Sequence, residues 1–345
     1  MENGDRRLLL EEFREPLIKD ESASEEKAAA AACRSSKESH WMLYLSTFVA
    51  VCGSFEYGSC VGYSSPTQSA IRNEFNLSLA EYSVFGSILT FGAMIGAVMS
   101  GLIADLLGRK GAMRISAIFC IAGWLPIYFA KGALSLDIGR ISLGYGMGIF
   151  SYVVPVFIAE IAPKDLRGGL TSINMLMVCS GISIYFIIGT FLTWRTLALI
   201  GVVPCFILLL GLFFIPESPR WLAKMGYQKE FVAALQKLRG KDADISQEAA
   251  DIMDYVETLR KLPKAKMLDL IQRKYWRSIT IAVGLMLFQQ FGGTSGIAFY
   301  VSEVFVSAGF PSNVGTVSYA CLQVIITVLC AFLMDKAGRR SLMLV

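Results

Sequence analysis

Two adjacent glutamines, Gln289 and Gln290, lie inside an apolar stretch of the sequence. An amide side chain offers one carbonyl acceptor and two N–H donors, a combination that suits the hydroxyl groups of a sugar-like ligand, which both donate and accept. Polar side chains in an apolar helix are costly and tend to face a bundle interior or a water-filled cavity. The pair therefore predicts a polar ligand site, with hydrogen bonding between helices as the alternative.

A short charged motif, Asp-x-x-Gly-Arg followed by Lys or Arg, occurs twice. Its charged members are Asp105, Arg109 and Lys110 in the first copy and Asp335, Arg339 and Arg340 in the second. The glycine permits a tight turn and the cations suit a helix carboxyl end, so each copy is expected in a short loop that clamps neighbouring helices. Ordinary solvated loop charge is the alternative for a single copy. Two copies predict two related halves.

The sequence lacks the usual signatures of an enzyme or a metalloprotein. His40 is the only histidine, and the eight cysteines form no Cys-x-x-Cys or Cys/His pattern, so we expect no metal site and no cofactor. The net charge of +4 follows from basic loops around apolar segments, so nucleic acid is not an expected partner. Glu56 is a carboxylate within an apolar segment and has no evident partner there.

Long apolar segments dominate the chain, in which 54% of the residues are hydrophobic and 17% are charged. Eight segments have the length, about 20 residues, that crosses a bilayer core as a helix, and helices are required because lipid cannot satisfy backbone groups. We place these spans at 41–63, 82–104, 112–131, 138–159, 170–191, 194–215, 277–301 and 313–334. The prediction is an all-α polytopic membrane protein whose surroundings are the lipid bilayer.

Basic residues predict the orientation of these spans. Of the 32 lysine and arginine residues, 28 lie in the amino-terminal tail and in the loops on the same side of the membrane. By the positive-inside rule this is the cytosolic side. The predicted segments are a cytosolic polar tail (1–40), a six-helix half (41–215), a cytosolic helical linker (216–276) and an incomplete second half (277–345). Two linker helices are expected, one ending at Gly240 and one following Asp244.

Further motifs lie at the ends of the predicted spans. They are Gly139-Arg140, the segment from Pro155 to Gly168 with Glu160 and Arg167, Pro216-Glu217-Ser218-Pro219-Arg220, and Gln289-Gln290-Phe291-Gly292-Gly293. In this order, they resemble the sugar porters of the major facilitator superfamily over nearly all of residues 41–345. The segment Gly62 to Pro66 and the second charged motif resemble the plant branch named for early response to dehydration. The resemblance implies twelve spans, of which about eight are present, and a monosaccharide site between two halves.

The resemblance also implies roles for single residues. Gln289, Gln290 and Gln323 would bind the sugar, while Phe299 and Tyr300 would form an aromatic gate, for which an interfacial aromatic belt is the alternative. Ion pairs that break as the halves rock would hold the outward-facing state. Their implied members are Asp105, Arg109, Lys110, Glu160, Arg167, Glu217, Arg220, Asp335, Arg339 and Arg340.

Three positions depart from the family pattern. The family glutamine of the fifth span is Met175 here, and the asparagine after the glutamine pair is Ser295. The acid that couples transport to protons falls at Gly58. Glu56 lies about 200° around the helix from Gly58, so it is not an obvious substitute for that acid. It stays a candidate proton site, and Arg140 is its nearest candidate partner by family analogy.

These features predict monosaccharide transport by alternating access, as facilitated diffusion. A truncated relative that does not transport is the alternative. Asp5, Leu9 and Leu10 form an acidic dileucine pattern of the kind that a sorting adaptor binds, with a chance match as the alternative. We therefore expect the vacuolar membrane rather than the plasma membrane.

Overall fold

Helices form every regular element that the structure describes, as predicted for an all-α protein. The computed structural model describes residues 41–241, 243–261 and 273–337. Its helices are α1 (Trp41–Gly62), α2 (Ser64–Phe75), α3 (Leu79–Tyr128), α4 (Ala133–Ile161), α5 (Arg167–Gly189), α6 (Trp194–Ile200), α7 (Val202–Phe214), α8 (Pro219–Met225), α9 (Gln228–Arg239), α10 (Ser246–Lys261), α11 (Arg273–Phe291), α12 (Thr294–Ser307) and α13 (Ser312–Ala337).

Six helical stretches of the described residues are long and apolar enough to cross a bilayer. One of them, the 50-residue α3, carries two predicted spans, because Gly108 adopts φ 79° and ψ 172° and breaks the helix between them. The predicted span at 194–215 comprises α6 and α7, and that at 277–301 is divided between α11 and α12. Each of the eight predicted spans therefore falls on one or two of the helices.

Glycines bring α3 and α4 into backbone contact. A Cβ atom added to Gly92 on α3 would lie 2.5 Å from the carbonyl oxygen of Ile141 on α4, and one added to Gly144 would collide with the α3 backbone. Gly96 and Gly148 repeat this arrangement one turn further along. Small residues four apart allow close helix approach in membranes, so the two helices form a tightly packed pair.

The first helix, α1, packs against α4, α5 and α7. It approaches α5 closely at Gly58, where an added Cβ atom would collide with the Val178 carbonyl, and at Gly181, where one would collide with the Phe55 carbonyl. A carboxylate side chain at position 58 therefore does not fit this arrangement of the two helices.

The last two helices pack on the earlier ones. The α12 helix contacts α2, and α13 contacts α5. Between them lies a small apolar core that includes Phe186 and Val301, both almost fully buried. The Ser183 hydroxyl on α5 also donates to the Ala320 carbonyl on α13 at 3.1 Å. The two sets of helices, α1 to α7 and α12 to α13, therefore share both apolar and polar contacts.

The linker helices α8, α9 and α10 have an apolar core of their own, which contains Leu222, Phe231 and Leu235. The sequence predicted the end of α9 and the start of α10 correctly. Gly240, with φ 103°, follows α9, and the Asp244 carboxylate accepts from the backbone N–H of the first residue of α10 at 2.9 Å. Local capping signals therefore determine where these helices begin and end.

Arg239 attaches the linker helices to the bundle. Its guanidinium donates to both carboxylate oxygens of Glu248 at 2.7 and 2.8 Å and to the Ile161 carbonyl at 2.9 Å. Because Ile161 is the last residue of α4, the linker helices are held at that end of the bundle, which we call the linker end.

Candidate functional site

Arg109 is the centre of a charged cluster at the linker end. Its guanidinium makes two hydrogen bonds to the Glu160 carboxylate, at 2.7 and 2.8 Å, and it donates to the Ala104 carbonyl at 3.0 Å. Asp105 lies 3.4 Å away. The Arg109 and Glu160 side chains are only 8% and 14% exposed, so this bidentate pair is less screened than a surface ion pair. It joins the ends of the first α3 span and α4.

Glu217 binds the turn that separates the two spans of α3. Its carboxylate accepts from the backbone N–H groups of Arg109 and Lys110, both at 3.1 Å, and from that of Ser218 at 2.8 Å. Burial raises the pKa of Glu217, although these N–H donors act in the opposite direction. A Cβ atom on Gly108 would lie 2.6 Å from Glu217 Oε2, so glycine is needed for this approach.

Three residues that the sequence did not predict complete the charged cluster. Ser218 donates its hydroxyl to Glu160 at 2.6 Å and accepts from the Trp221 N–H as the cap of α8. Trp221 donates its indole N–H to the Asp105 carbonyl at 3.0 Å, and Lys224 lies 3.0 Å from the Asp105 carboxylate. A serine cap before a proline was the available signal for α8, but it does not reveal these distant partners.

The other predicted charged residues do not form ion pairs with this cluster among the described residues. Lys110 donates its ammonium to the Ile215 carbonyl at 2.6 Å, and Arg167 donates to a backbone carbonyl at 3.4 Å. Arg220 has no ion pair within the described part of the chain. Asp335 lies on α13, and its side chain is not described. Outside the described residues lie Arg339 and Arg340.

A second polar group is buried within the first six spans. Glu56 is fully buried, and its Oε1 accepts from the Trp124 indole N–H at 2.6 Å and the Cys60 thiol at 3.5 Å. Its Oε2 has no hydrogen-bond partner within the described residues. Arg140 is also fully buried, and it donates to the Cys60 carbonyl at 2.9 Å and the Ser64 hydroxyl at 2.8 Å.

The pairing of Glu56 with Arg140 that family analogy indicated is wrong for this structure. The two side chains contact different atoms of Cys60, Glu56 its thiol and Arg140 its carbonyl. The Arg140 guanidinium also lies over the rings of Tyr63 and Phe85, at 4.9 and 4.3 Å from their centroids. Arg140 therefore stabilises the end of α1 and the start of α2, and the carboxylate is bound by Trp124.

Folding also brings together side chains of metal-binding types that no sequence motif indicated. The ligand atoms of Glu56, Cys60 and Cys120 lie within 4.8 Å of one another. These residues come from α1 and from the second span of α3, so their spacing in the sequence carries no recognisable pattern.

The sequence led us to expect that the predicted sugar-binding amides are enclosed, but the structure does not enclose them. Gln289 and Gln290 are exposed near the end of α11. Gln323 on α13 is partly buried, and its carbonyl Oε1 is buried without a hydrogen-bond partner among the described residues. Met175 on α5 is 58% exposed. Every α11 residue whose burial is described is exposed or partly exposed, so neighbouring helices give its amides little cover.

The predicted gate lies at a break in α12. Tyr300 departs from helical geometry, with φ −124° and ψ 21°, and both Tyr300 and the adjacent Phe299 are partly buried. The Tyr300 hydroxyl lies 3.2 Å from the Ser83 hydroxyl on α3. Ser295 lies on the same helix, and its side chain is not described. Tyr300 thus connects the two sets of helices at the end opposite the linker, which we call the distal end.

Comparison with known proteins places this architecture in a family. A family model described as sugar (and other) transporter matches residues 29–345. The chain belongs to the sugar transporter family. Among its relatives in Arabidopsis thaliana, Sugar transporter ERD6-like 7 is 63% identical over 332 residues, which cover 96% of this chain and 70% of the relative. Sugar transporter ERD6-like 16 is 64% identical over 309 residues, which cover 89% of this chain and 64% of the relative.

Solved structures confirm the major facilitator fold for this sugar transporter family chain. It resembles the proton:xylose symporter XylE bound to 6-bromo-6-deoxy-D-glucose, with 25% identity and a TM-score of 0.76 over 89% of this chain and 71% of that one. It also resembles partially occluded, inward-open XylE from E. coli, with 25% identity and a TM-score of 0.68 over 87% of this chain and 75% of that one. The chain is therefore an integral, multi-pass membrane protein of a transporter family and not an enzyme.

Proposed function

We propose that this chain transports hexose-like monosaccharides across a membrane by alternating access, as facilitated diffusion. Membership of the sugar transporter family supports a sugar as the substrate. The alternative is a relative that does not transport by itself and associates with longer carriers. The chain spans 70% and 64% of the lengths of the two relatives described above.

The buried carbonyl oxygen of Gln323 is the observation that carries this proposal. A buried acceptor without a partner costs about 1–3 kcal/mol, and a donor group of a bound ligand would remove that cost. A sugar hydroxyl is such a donor. The amides of Gln289 and Gln290 would add donors and acceptors from α11.

Two departures from the family pattern weaken the proposed site without removing it. Met175 is exposed on α5 and offers little hydrogen bonding where the family has an amide. Ser295 is shorter than the family asparagine. We therefore propose a site that depends on its glutamines, and Met175→Gln is expected to strengthen sugar binding.

Alternating access requires contacts that differ between two states. In this proposal the halves are residues 41–215 and 277–345, joined by the linker at 216–276. The charged cluster around Arg109 would hold the outward-facing state, with Arg167 and Arg220 forming ion pairs there, and Asp335, Arg339 and Arg340 would form the equivalent cluster of the second half. At the distal end, Tyr300 and Phe299 would close the path when the halves come together.

Two observations bear on proton coupling. The contact between α1 and α5 leaves no room for an acid at position 58, which supports facilitated diffusion. Against this, Glu56 is fully buried, and its Oε2 has no hydrogen-bond partner among the described residues. We keep a proton-coupled carrier, with Glu56 and Arg140 as its proton site, as the second candidate.

The location that we propose is the vacuolar membrane. The acidic dileucine pattern of Asp5, Leu9 and Leu10 supports it, with a sorting adaptor as the partner of the tail. These residues lie outside the described part of the chain.

Uptake of radiolabelled D-glucose into liposomes that contain the purified chain tests the main proposal. Gln290→Ala is expected to weaken sugar binding by about 1–3 kcal/mol, because it leaves polar groups of the bound sugar unpaired. Gln247→Ala is the matched control, since this amide lies on the linker helix α10 and contacts Asp251 at 3.2 Å. Unchanged binding by a correctly folded Gln290→Ala chain would rule out the site, and absence of uptake by the parent chain would favour the alternative.

A further inference from the structure

A polar cavity of about 280 Å³ lies at the distal end of the bundle, away from the amides of the proposed transport site. Its walls come from four helices, so it lies where the earlier and later helices meet. Its lining includes Gln68 on α2, Thr190 after α5, Ser302 and Glu303 on α12 and Asn313 on α13.

Gln68 is the unusual member of this lining. It is 2% exposed, yet neither its amide nitrogen nor its amide oxygen has a hydrogen-bond partner within the described residues. Burying an amide without hydrogen bonds is costly, and native proteins pair nearly all such groups with protein, water or ligand. The Gln68 amide therefore requires a partner that both donates and accepts.

The remaining polar groups define the chemistry of that partner. Hydroxyls come from Ser69, Thr190 and Ser312, an amide from Asn313 and a carboxylate from Glu303. Among the described residues no lysine, arginine or histidine lines the cavity, so an anionic ligand has no counter-charge there. The volume lies just below the range of roughly 300–1,000 Å³ for drug-sized ligands, which fits a small molecule. A neutral polyol of monosaccharide size matches these donors and acceptors.

The cavity depends on contact between the two sets of helices. Ser65 and Ser302 hold its walls together: the Ser302 backbone N–H donates to the Ser65 hydroxyl at 2.9 Å, and the two hydroxyls lie 3.0 Å apart. The Ser302 hydroxyl also lies 3.2 Å from that of Thr316 on α13. Separation of the distal ends would break these contacts and divide the lining.

We propose that this cavity is a second monosaccharide-binding site, which forms only when the distal ends are closed. A ligand that binds one state preferentially shifts the equilibrium towards that state. A sugar in the cavity therefore keeps the distal ends closed, and a high sugar concentration on the distal side of the membrane slows transport. The inference rests on the proposed function for its consequence in transport, but occupancy of the cavity can be measured separately.

Saturation binding of radiolabelled D-glucose to the purified 345-residue chain tests this inference directly. We expect two sites per chain, one of which is lost in Gln68→Leu and in Asn313→Leu and the other in Gln290→Ala. Asn313 is exposed, so its substitution tests the cavity even if a change at the buried Gln68 prevents folding. Asn73→Leu is the matched control, because Asn73 is an exposed amide on the same helix as Gln68 and does not line the cavity.

The outcomes separate this inference from the proposed function. A single site that is lost in Gln290→Ala and retained in both cavity variants would mean that the cavity holds only water, and it would overturn the inference alone. A site that persists in Gln290→Ala and disappears in both cavity variants would support the cavity and reject the proposed transport site. Inhibition of uptake at high sugar, relieved by Asn313→Leu but not by Asn73→Leu, would support the effect on transport.

Discussion

At the scale of single residues, Glu56 is the side chain whose role most affects the transport mechanism. It is completely buried and accepts a short hydrogen bond from Trp124, and its other carboxylate oxygen has no partner in the described part of the chain. Trp124 can donate equally well to an amide oxygen, so Glu56→Gln preserves this contact while removing the ability to ionise. The substitution therefore tests ionisation rather than packing.

We expect sugar uptake by Glu56→Gln to equal that of the parent chain, because facilitated diffusion needs no titrating carboxylate. The measurement is uptake into liposomes with and without an inward pH gradient, and Glu257→Gln on the exposed face of α10 is the control. Accumulation that a protonophore abolishes, and that Glu56→Gln also abolishes, would make Glu56 the proton site and would reject facilitated diffusion.

The sequence was least informative at this scale. It placed Glu56 in a span and Arg140 at the start of another, but family analogy joined them in a pair that the fold does not form. The reason is geometric: Arg140 is directed at the end of α1, where the Cys60 carbonyl and the Ser64 hydroxyl accept its protons. Which of several buried acceptors a guanidinium reaches depends on helix rotation, and helix rotation is not encoded in a local motif.

At the scale of elements, the break in α3 at Gly108 determines how two spans and the linker meet. We expect Gly108→Ala to destabilise the chain by about 1–3 kcal/mol or more, since its φ of 79° with ψ of 172° is essentially restricted to glycine. The added Cβ atom would also lie 2.6 Å from Glu217 Oε2. Thermal unfolding in detergent measures the effect.

Gly101→Ala is the control for that substitution. Gly101 lies in the same helix, and a Cβ atom there would meet nothing within 4 Å. Removing a helical glycine without a clash is expected to stabilise by roughly 0.5–1 kcal/mol. Equal effects of the two substitutions would show that the turn at Gly108 does not need glycine.

The stability of the chain depends on pH through Glu217, which binds the same turn. Because burial raises the pKa of Glu217 in the folded chain, the folded state binds this proton more tightly than the unfolded state, whose glutamate has a pKa of about 4.3. This contribution to stability is fully present below the pKa of the unfolded state and is lost as the pH rises through the pKa of the folded state.

Glu217→Gln removes that titration, so its melting temperature should fall less than that of the parent chain as pH is raised across this interval. Glu230→Gln, at an exposed position on α9, is the control and should follow the parent. Parallel curves for the parent and Glu217→Gln would show that this carboxyl titrates at its ordinary pKa.

Elements were the scale at which the sequence predicted most. Hydrophobic length placed each predicted span on one or two helices, and capping residues indicated the end of α9 and the start of α10, because these signals are local. The charged motif contains Arg109, and the resemblance to the sugar porters implied Glu160 as a member of the same ion-pair network. Neither identified Ser218 or Lys224 as members of the cluster, because only the folded position of α8 brings them to Glu160 and Asp105.

At the scale of the whole molecule, the proposed destination rests on the tail. A fluorescent fusion of the chain is expected at the vacuolar membrane of plant cells, and replacement of Leu9 and Leu10 by alanine should move it to the plasma membrane. The reason is that an adaptor pocket for the two leucines loses its apolar contacts. Alanine at Leu17 and Ile18, a second apolar pair in the same tail, is the control. A parent fusion at the plasma membrane, or a double variant that stays vacuolar, would exclude this address.

The contact between Ser65 and Ser302 also makes the motion of the carrier observable at one backbone position. The Ser302 amide hydrogen is bonded across the boundary between the two sets of helices, to a side chain that departs whenever the distal ends separate. Its exchange with deuterated solvent therefore has to wait for that separation. Residue-resolved hydrogen exchange at Ser302, in native chain without any label, therefore measures how often the distal ends open. A bound sugar that keeps the distal ends closed will slow the exchange of this amide.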